Sequence, residues 1–140
     1  MNTRRVILGG LLAGLVLNVG EAVLHGFLLA GQTAAAMTAL GKDPNGGALG
    51  LTLLILVTFA QGLVGMWLYA AVCGRSKSKT LAAIGIGTAV WLLSVLYSAT
   101  YLYAGFPAVF PDGVVWWPVA WGWIEYPLAM MAGSAVYGET

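Results

Sequence analysis

Of the six basic and five acidic side chains in this 140-residue chain, only Glu21 and Glu125 fall inside long apolar stretches. A carboxyl at membrane depth costs several kcal/mol unless it is paired, protonated or wetted, so an acid in such a place is read first as a functional position. Asn18, Glu21 and His25 follow one another at intervals of three and four, which puts them on one face of a helix. Counting residues at about 1.5 Å each brings Asn18, Gln61 and Glu125 to nearly one level, with Glu21 about one turn further out and His25 about two. Ser94, Tyr97 and Ser98 fall at similar or slightly more outward levels, so one shared polar layer is expected.

Four chemistries fit these residue types. A proton or cation path would use Glu21 and Glu125 as exchangeable carboxyls, His25 as the relay to the outer surface, and Asn18 and Gln61 to order water. A divalent metal would take Glu21 and His25, whose interval of four permits joint coordination, with Glu125 completing the set across the bundle. That set is poor in ligands, because the chain has one histidine and carboxylate-bridged bundles present two Glu-x-x-His pairs. Haem or chlorophyll would take His25 as its sole axial ligand. The last reading is structural: the two acids, protonated or hydrogen-bonded to Asn18, Gln61, His25 and a tyrosine, fasten the helices together.

The elements that must hold these groups are plain in the composition. With 60% hydrophobic and 8% charged residues, the chain is far from a soluble domain, where about a quarter of residues are charged. Four apolar stretches, 6–30, 48–73, 81–104 and 114–137, are each long enough to cross a hydrocarbon core of roughly 30 Å as a helix. None alternates as a barrel strand does. The expected fold is therefore all-α, an integral membrane four-helix bundle of a single domain. Arg4, Arg5, Arg75, Lys77 and Lys79 lie at one end of that arrangement, which places both termini in the cytoplasm by the positive-inside rule.

Glycine supplies 20 of the 140 residues and is spread through the spans, where small side chains let helices approach closely. Gly10 and Gly14 sit below Asn18 on the face of the first span, and Ala129, Gly133 and Tyr137 descend from Glu125 at intervals of four. Gly62, Gly65, Gly85 and Gly87 extend the pattern to spans two and three. Pro127 cannot donate to the carbonyl of Trp123, so a kink is expected beside Glu125. Of the two outer connections, 31–47 is expected to carry a short interfacial helix over 33–41, capped by Thr33 and ended by Gly41, followed by a turn over 42–47. The other, 105–113, holds two prolines and is ringed by Tyr97, Tyr101, Tyr103, Trp116, Trp117, Trp121 and Trp123, an aromatic belt or the wall of a cofactor or lipid tail.

Several classes have no support. There is no HExxH motif, nucleophile elbow or phosphate-binding glycine loop, so no enzymatic role is expected. The balance of charge suggests no nucleic-acid partner. Cys73 is the only cysteine, which rules out an internal disulfide, and reads as a small buried residue. The apolar start follows Arg4-Arg5 like a secretory leader, but its length and the polar residues Asn18, Glu21 and His25 read as a permanent span.

Met1-Asn2-Thr3-Arg4-Arg5, Asn18-Val19-Gly20-Glu21, Ala36-Met37-x-Ala39-Leu40-Gly41, Trp67-Leu68-Tyr69-Ala70-Ala71 and Trp121-Gly122-Trp123-Ile124-Glu125 resemble a group of uncharacterised bacterial four-span inner-membrane proteins. The resemblance covers nearly the whole chain through diffuse motifs. It implies the same topology, a bacterial cytoplasmic membrane and an acid at the Glu21 and Glu125 positions, while asparagine often takes the place of His25. The function expected is a small non-catalytic subunit within a larger membrane complex of respiratory or photosynthetic type. The alternatives are a homo-oligomeric proton or cation conduit on Glu21 and Glu125, and metal, haem or chlorophyll binding through His25.

Overall fold

Asn2 opens the first helix by accepting a hydrogen bond from the Arg5 N–H at 3.2 Å, which satisfies one of the orphan donors of a helix start. From there the computed structural model, which describes residues 2–44, 47–106, 108, 110 and 112–138, is helical wherever it is regular, with no strand among the described residues. Helix α1 (Thr3–Val23) continues through a π turn, Leu24–Leu28, closed by the Leu29 N–H donating to the Leu24 carbonyl at 2.8 Å. The short α2 (Ala30–Ala39) follows at once. Helix α3 spans Gly47–Val72 and ends in a tight turn, Cys73–Arg75. Helices α4 (Lys79–Trp91) and α5 (Tyr97–Gly105) form one rod joined by a second π turn, Leu92–Leu96. The last helix, α6, runs Asp112–Tyr137, with Asp112 suitably placed for the positive end of the helix dipole.

Thr3–Leu28, Gly47–Arg75 and Lys79–Gly105 are long and apolar enough to cross a membrane, at 26, 29 and 27 residues. Helix α6 has the length, 26 residues, but Asp112, Glu125, two prolines and its tryptophans dilute its apolar character. Four spans were expected, and three meet the criterion of length and composition. The short outer helix also differs from expectation. It begins at Ala30, and Thr33 is interior, its N–H donating to the Leu29 carbonyl at 2.8 Å while its hydroxyl is buried without a partner. Thr33 is therefore no cap, because the chain re-enters the helix directly after Leu29. Gly41 does end it, at φ +66, with Gly41 N–H to the Thr38 carbonyl at 2.9 Å and Lys42 N–H to the Met37 carbonyl at 2.9 Å, the paired bonds of a Schellman ending. Asn45 and Gly46 of the expected turn, and Pro107 and Pro111 of the second connection, lie outside the described residues.

Packing centres on α1, which lies against α3 on one side and α6 on the other, while α4 packs on α6. Glycine makes these approaches possible. A Cβ on Gly10 would lie 2.7 Å from the Leu63 Cα, one on Gly62 2.5 Å from the Gly14 nitrogen, and those on Gly9 and Gly133 each 2.6 Å from the other's carbonyl oxygen. Backbone meets backbone at each point, the close contact that small residues permit in lipid. Helix α6 keeps its helical backbone across Pro118 and Pro127, and Gly87 of α4 seats against Pro127, where a Cβ would come within 2.6 Å of the proline Cα.

The buried core, including Ala13, Leu17, Met66, Ala83, Ala129 and Met130, occupies the half nearer the termini. Tyr69 and Tyr137 close its end edge to face, with ring centroids 5.8 Å apart, a favoured aromatic geometry. Arg5 donates to the Gly138 carbonyl beside them. The outer half is looser: residues 51–57 of α3 are exposed in unbroken succession.

Candidate functional site

Glu125 is held by α6 where that helix packs on α1. Ala129 (0% exposed) and the buried Gly133 and Tyr137 continue its face, as the interval of four requires. Glu125 itself is 7% exposed. Its carboxyl lies on the bare backbone of Gly20, where a Cβ would stand 1.8 Å from Oε1. Both carboxyl oxygens are buried without a hydrogen-bond partner. One turn earlier, the Trp121 indole nitrogen is also buried and unpartnered. It faces the carboxyl closely enough to interact without reaching hydrogen-bond geometry, and the charge of Glu21 on α1 also acts there.

These groups line a groove of about 390 Å³ between α1 and α6, walled by Val16, Val19, Gly20 and Val23 on one side and Trp121, Ile124, Glu125 and Leu128 on the other. Buried polar atoms are nearly always paired. The Glu125 carboxyl and the Trp121 N–H are thus a buried pair of polar groups sealed beneath a groove whose surface is apolar.

The other expected polar residues do not join Glu125 in one layer. Glu21 turns along its own helix to His25, with Oε2 and Nε2 3.3 Å apart and the side chains 34% and 38% exposed. Asn18 donates to the Gly14 carbonyl at 2.8 Å and lies 3.5 Å from the Ile55 carbonyl of α3. Gln61 is bound elsewhere, accepting from the Tyr126 hydroxyl at 2.7 Å, with Ser94 beside the same hydroxyl. Tyr97 and Ser98 are exposed. The layer is thus corrected to separate sets, because adjacent residues on α6 aim differently: Glu125 toward α1 and Tyr126 toward α3 and α4.

The metal set of Glu21, His25 and Glu125 is not assembled, and no group of three or more histidine, cysteine or acidic side chains is gathered among the described residues. The Nε2 of His25, the atom a haem or chlorophyll would need, faces Glu21. Among the aromatics, Tyr97, Tyr101, Trp117 and Trp123 are more than half exposed, as an interfacial belt would be. Trp121 differs from these in burying its nitrogen, beside the Glu125 carboxyl.

Three residues of the site escape a reading of the sequence. Gly20 carries a legible signal, since Gly9, Ala13 and Gly20 share a helical face separate from that of Gly10 and Gly14. Trp121 stands one turn from Glu125 but reads as one more interfacial aromatic. Tyr126 gives no signal, because its partner depends on how α6 is rotated against α3. Comparison of the chain with family models, with curated proteins and with solved structures found no match.

Proposed function

We propose that this protein is a non-catalytic membrane subunit whose outer half is completed by another polypeptide, in a larger membrane assembly of respiratory or photosynthetic type. In this reading α6 is a fourth span, the helices form a four-helix bundle in a bacterial cytoplasmic membrane, and both termini are cytoplasmic. The arrangement of charge supports the orientation: Arg4, Arg5, Arg75, Lys77 and Lys79 lie at the starts of α1 and α4 and the end of α3, and basic residues are retained on the cytoplasmic side. The resemblance to four-span inner-membrane proteins agrees with it.

One observation carries the packing role. Residues 51–57 of α3 are all exposed, two turns of helix touched by the Asn18 amide at the Ile55 carbonyl yet covered on no face, and Gly50 just before them has nothing within 4 Å of where its Cβ would be. Apolar area alone does not drive association in lipid, but an unused glycine in a span costs helix stability and supplies a place for close approach. Elsewhere in the chain Gly10, Gly14, Gly62 and Gly133 each close such a contact.

The test is photo-crosslinking in native membranes from a photoreactive residue at position 54, where Leu54 is 67% exposed. A discrete protein adduct, with another subunit or a second copy of the chain, is the expected result. Adducts to lipid alone would remove the proposal.

A further inference from the structure

We infer that the end of the bundle carrying most of the basic residues is a binding surface for anionic phospholipid, with Arg75, Lys77 and Lys79 receiving the headgroup phosphate. This is independent of the packing role, which rests on the outer half of α3, and it holds whichever side of the membrane that end occupies.

The connection from α3 to α4 displays its cations on a fixed turn. Arg75, Lys77 and Lys79 alternate with Ser76 and Ser78. The serines hold the backbone: Ser76 Oγ donates to the Ser78 carbonyl at 2.8 Å and lies 3.4 Å from the Ser78 N–H, while Ser78 Oγ caps α4 by accepting from the Leu81 N–H at 3.3 Å. Both serines are half-buried and all three cations are exposed. No ion pair joins these cations to an acid among the described residues.

Arg4 adds a fourth exposed cation from the start of α1. That start belongs to the same end, because Val6, Tyr69, Cys73, Ala83 and Tyr137, from α1, α3, the turn after it, α4 and α6, join one buried cluster. Arg5 is engaged by the Gly138 carbonyl. The described acids are elsewhere: Glu21 and Glu125 within the helices, Asp43 in the outer connection and Asp112 at the outer start of α6. Glu139 lies outside the described residues.

The border of the patch selects the partner. Ile7 and Leu8 follow Arg4, Val72 precedes Arg75, and Leu81 follows Lys79, and all four are exposed. Within one turn of each cation-bearing segment the open surface therefore becomes apolar, which is the change from headgroup to hydrocarbon that a bilayer presents. A soluble polyanion would meet the charges and leave that border unused. A phospholipid meets both, its phosphate on the cations and its acyl chains along the apolar side chains below. A choline headgroup would bring a second positive charge to a surface with no described acid to receive it, so a lipid of net negative charge is the better match.

Native mass spectrometry of the full chain in mild detergent reads the affinity of the first bound lipid. Phosphatidylglycerol should bind at least about fivefold tighter than phosphatidylcholine of the same acyl chains, the factor that roughly one basic contact supplies. Raising ammonium acetate from about 0.1 M to about 1 M should lower that preference at least about twofold, because the screening length falls from about 10 Å to about 3 Å. Combined Arg75→Gln, Lys77→Gln and Lys79→Gln substitutions keep both serines and should bring the two affinities within about twofold of each other. Lys42→Gln, in the opposite connection, should leave the preference unchanged. Equal affinity for the two lipids, a preference that survives the triple substitution, or an equal loss from Lys42→Gln would each overturn the assignment.

Discussion

Gly20 and Glu125 fit together as socket and plug: the α6 carboxyl lies directly on the α1 backbone at Gly20, where a single methyl group would stand 1.8 Å from Oε1. Gly20→Ala should therefore destabilise the protein by about 1–3 kcal/mol through overpacking, while Gly20→Ala combined with Glu125→Ala should recover most of that loss. Thermal unfolding in mild detergent measures all members of the cycle. Strict additivity of the two substitutions would show that the contact carries no coupling.

Glycines in α3 and α4 should respond in opposite ways to the same change. At Gly62 a Cβ would meet the α1 backbone at 2.5 Å, whereas at Gly85 nothing lies within 4 Å. Gly62→Ala should cost about 1–3 kcal/mol. Gly85→Ala should be neutral or stabilising by up to about 1 kcal/mol in the isolated chain. The comparison is made on the same detergent unfolding curves, and equal losses would contradict the packing of α1 on α3.

The hydrogen bond from Tyr126 to Gln61, 2.7 Å long, joins α6 to α3. Tyr126→Phe should cost about 0.5–1.5 kcal/mol, toward the low end because side-chain hydrogen bonds between spans average about 0.6 kcal/mol. A double-mutant cycle with Gln61→Leu should return a coupling of that size. A coupling indistinguishable from zero would place the two side chains apart.

Orientation can be read chemically. In a Cys73→Ala background, Ser76→Cys should be shielded from a membrane-impermeant maleimide in intact cells and labelled in inverted vesicles. Thr38→Cys, exposed on α2, should behave in the reverse manner. The opposite pattern would invert the proposed topology.

The helical fold was legible because apolar runs of 24 or more residues leave few alternatives in lipid, and the buried stripe of Glu125, Ala129, Gly133 and Tyr137 follows from an interval of four on any helix. What failed depended on rotation between helices. Gln61 was placed beside Asn18 by depth alone, yet depth says nothing about azimuth, and α3 turns Gln61 toward Tyr126. The interval of four does direct Glu21 to His25, and the two meet along α1, but depth alone gives no reason for the Glu125 carboxyl to settle on Gly20. Thr33 looked like a cap because threonine favours that role, but the π turn before it lets the next helix start three residues earlier.

The two π turns, Leu24–Leu28 in the first rod and Leu92–Leu96 in the third, each accommodate an extra residue in a helix of 3.6 residues per turn. One inserted residue swings everything beyond it by roughly 100° about the helix axis. The chain thus has a dial on each of two rods, set independently of the glycine contacts below. Deleting a residue from either turn would redirect the side chains beyond it, the buried Leu29 and Ala36 past the first and Ala99 past the second, while sparing the glycine contacts below, a route by which such a scaffold acquires new neighbours one codon at a time.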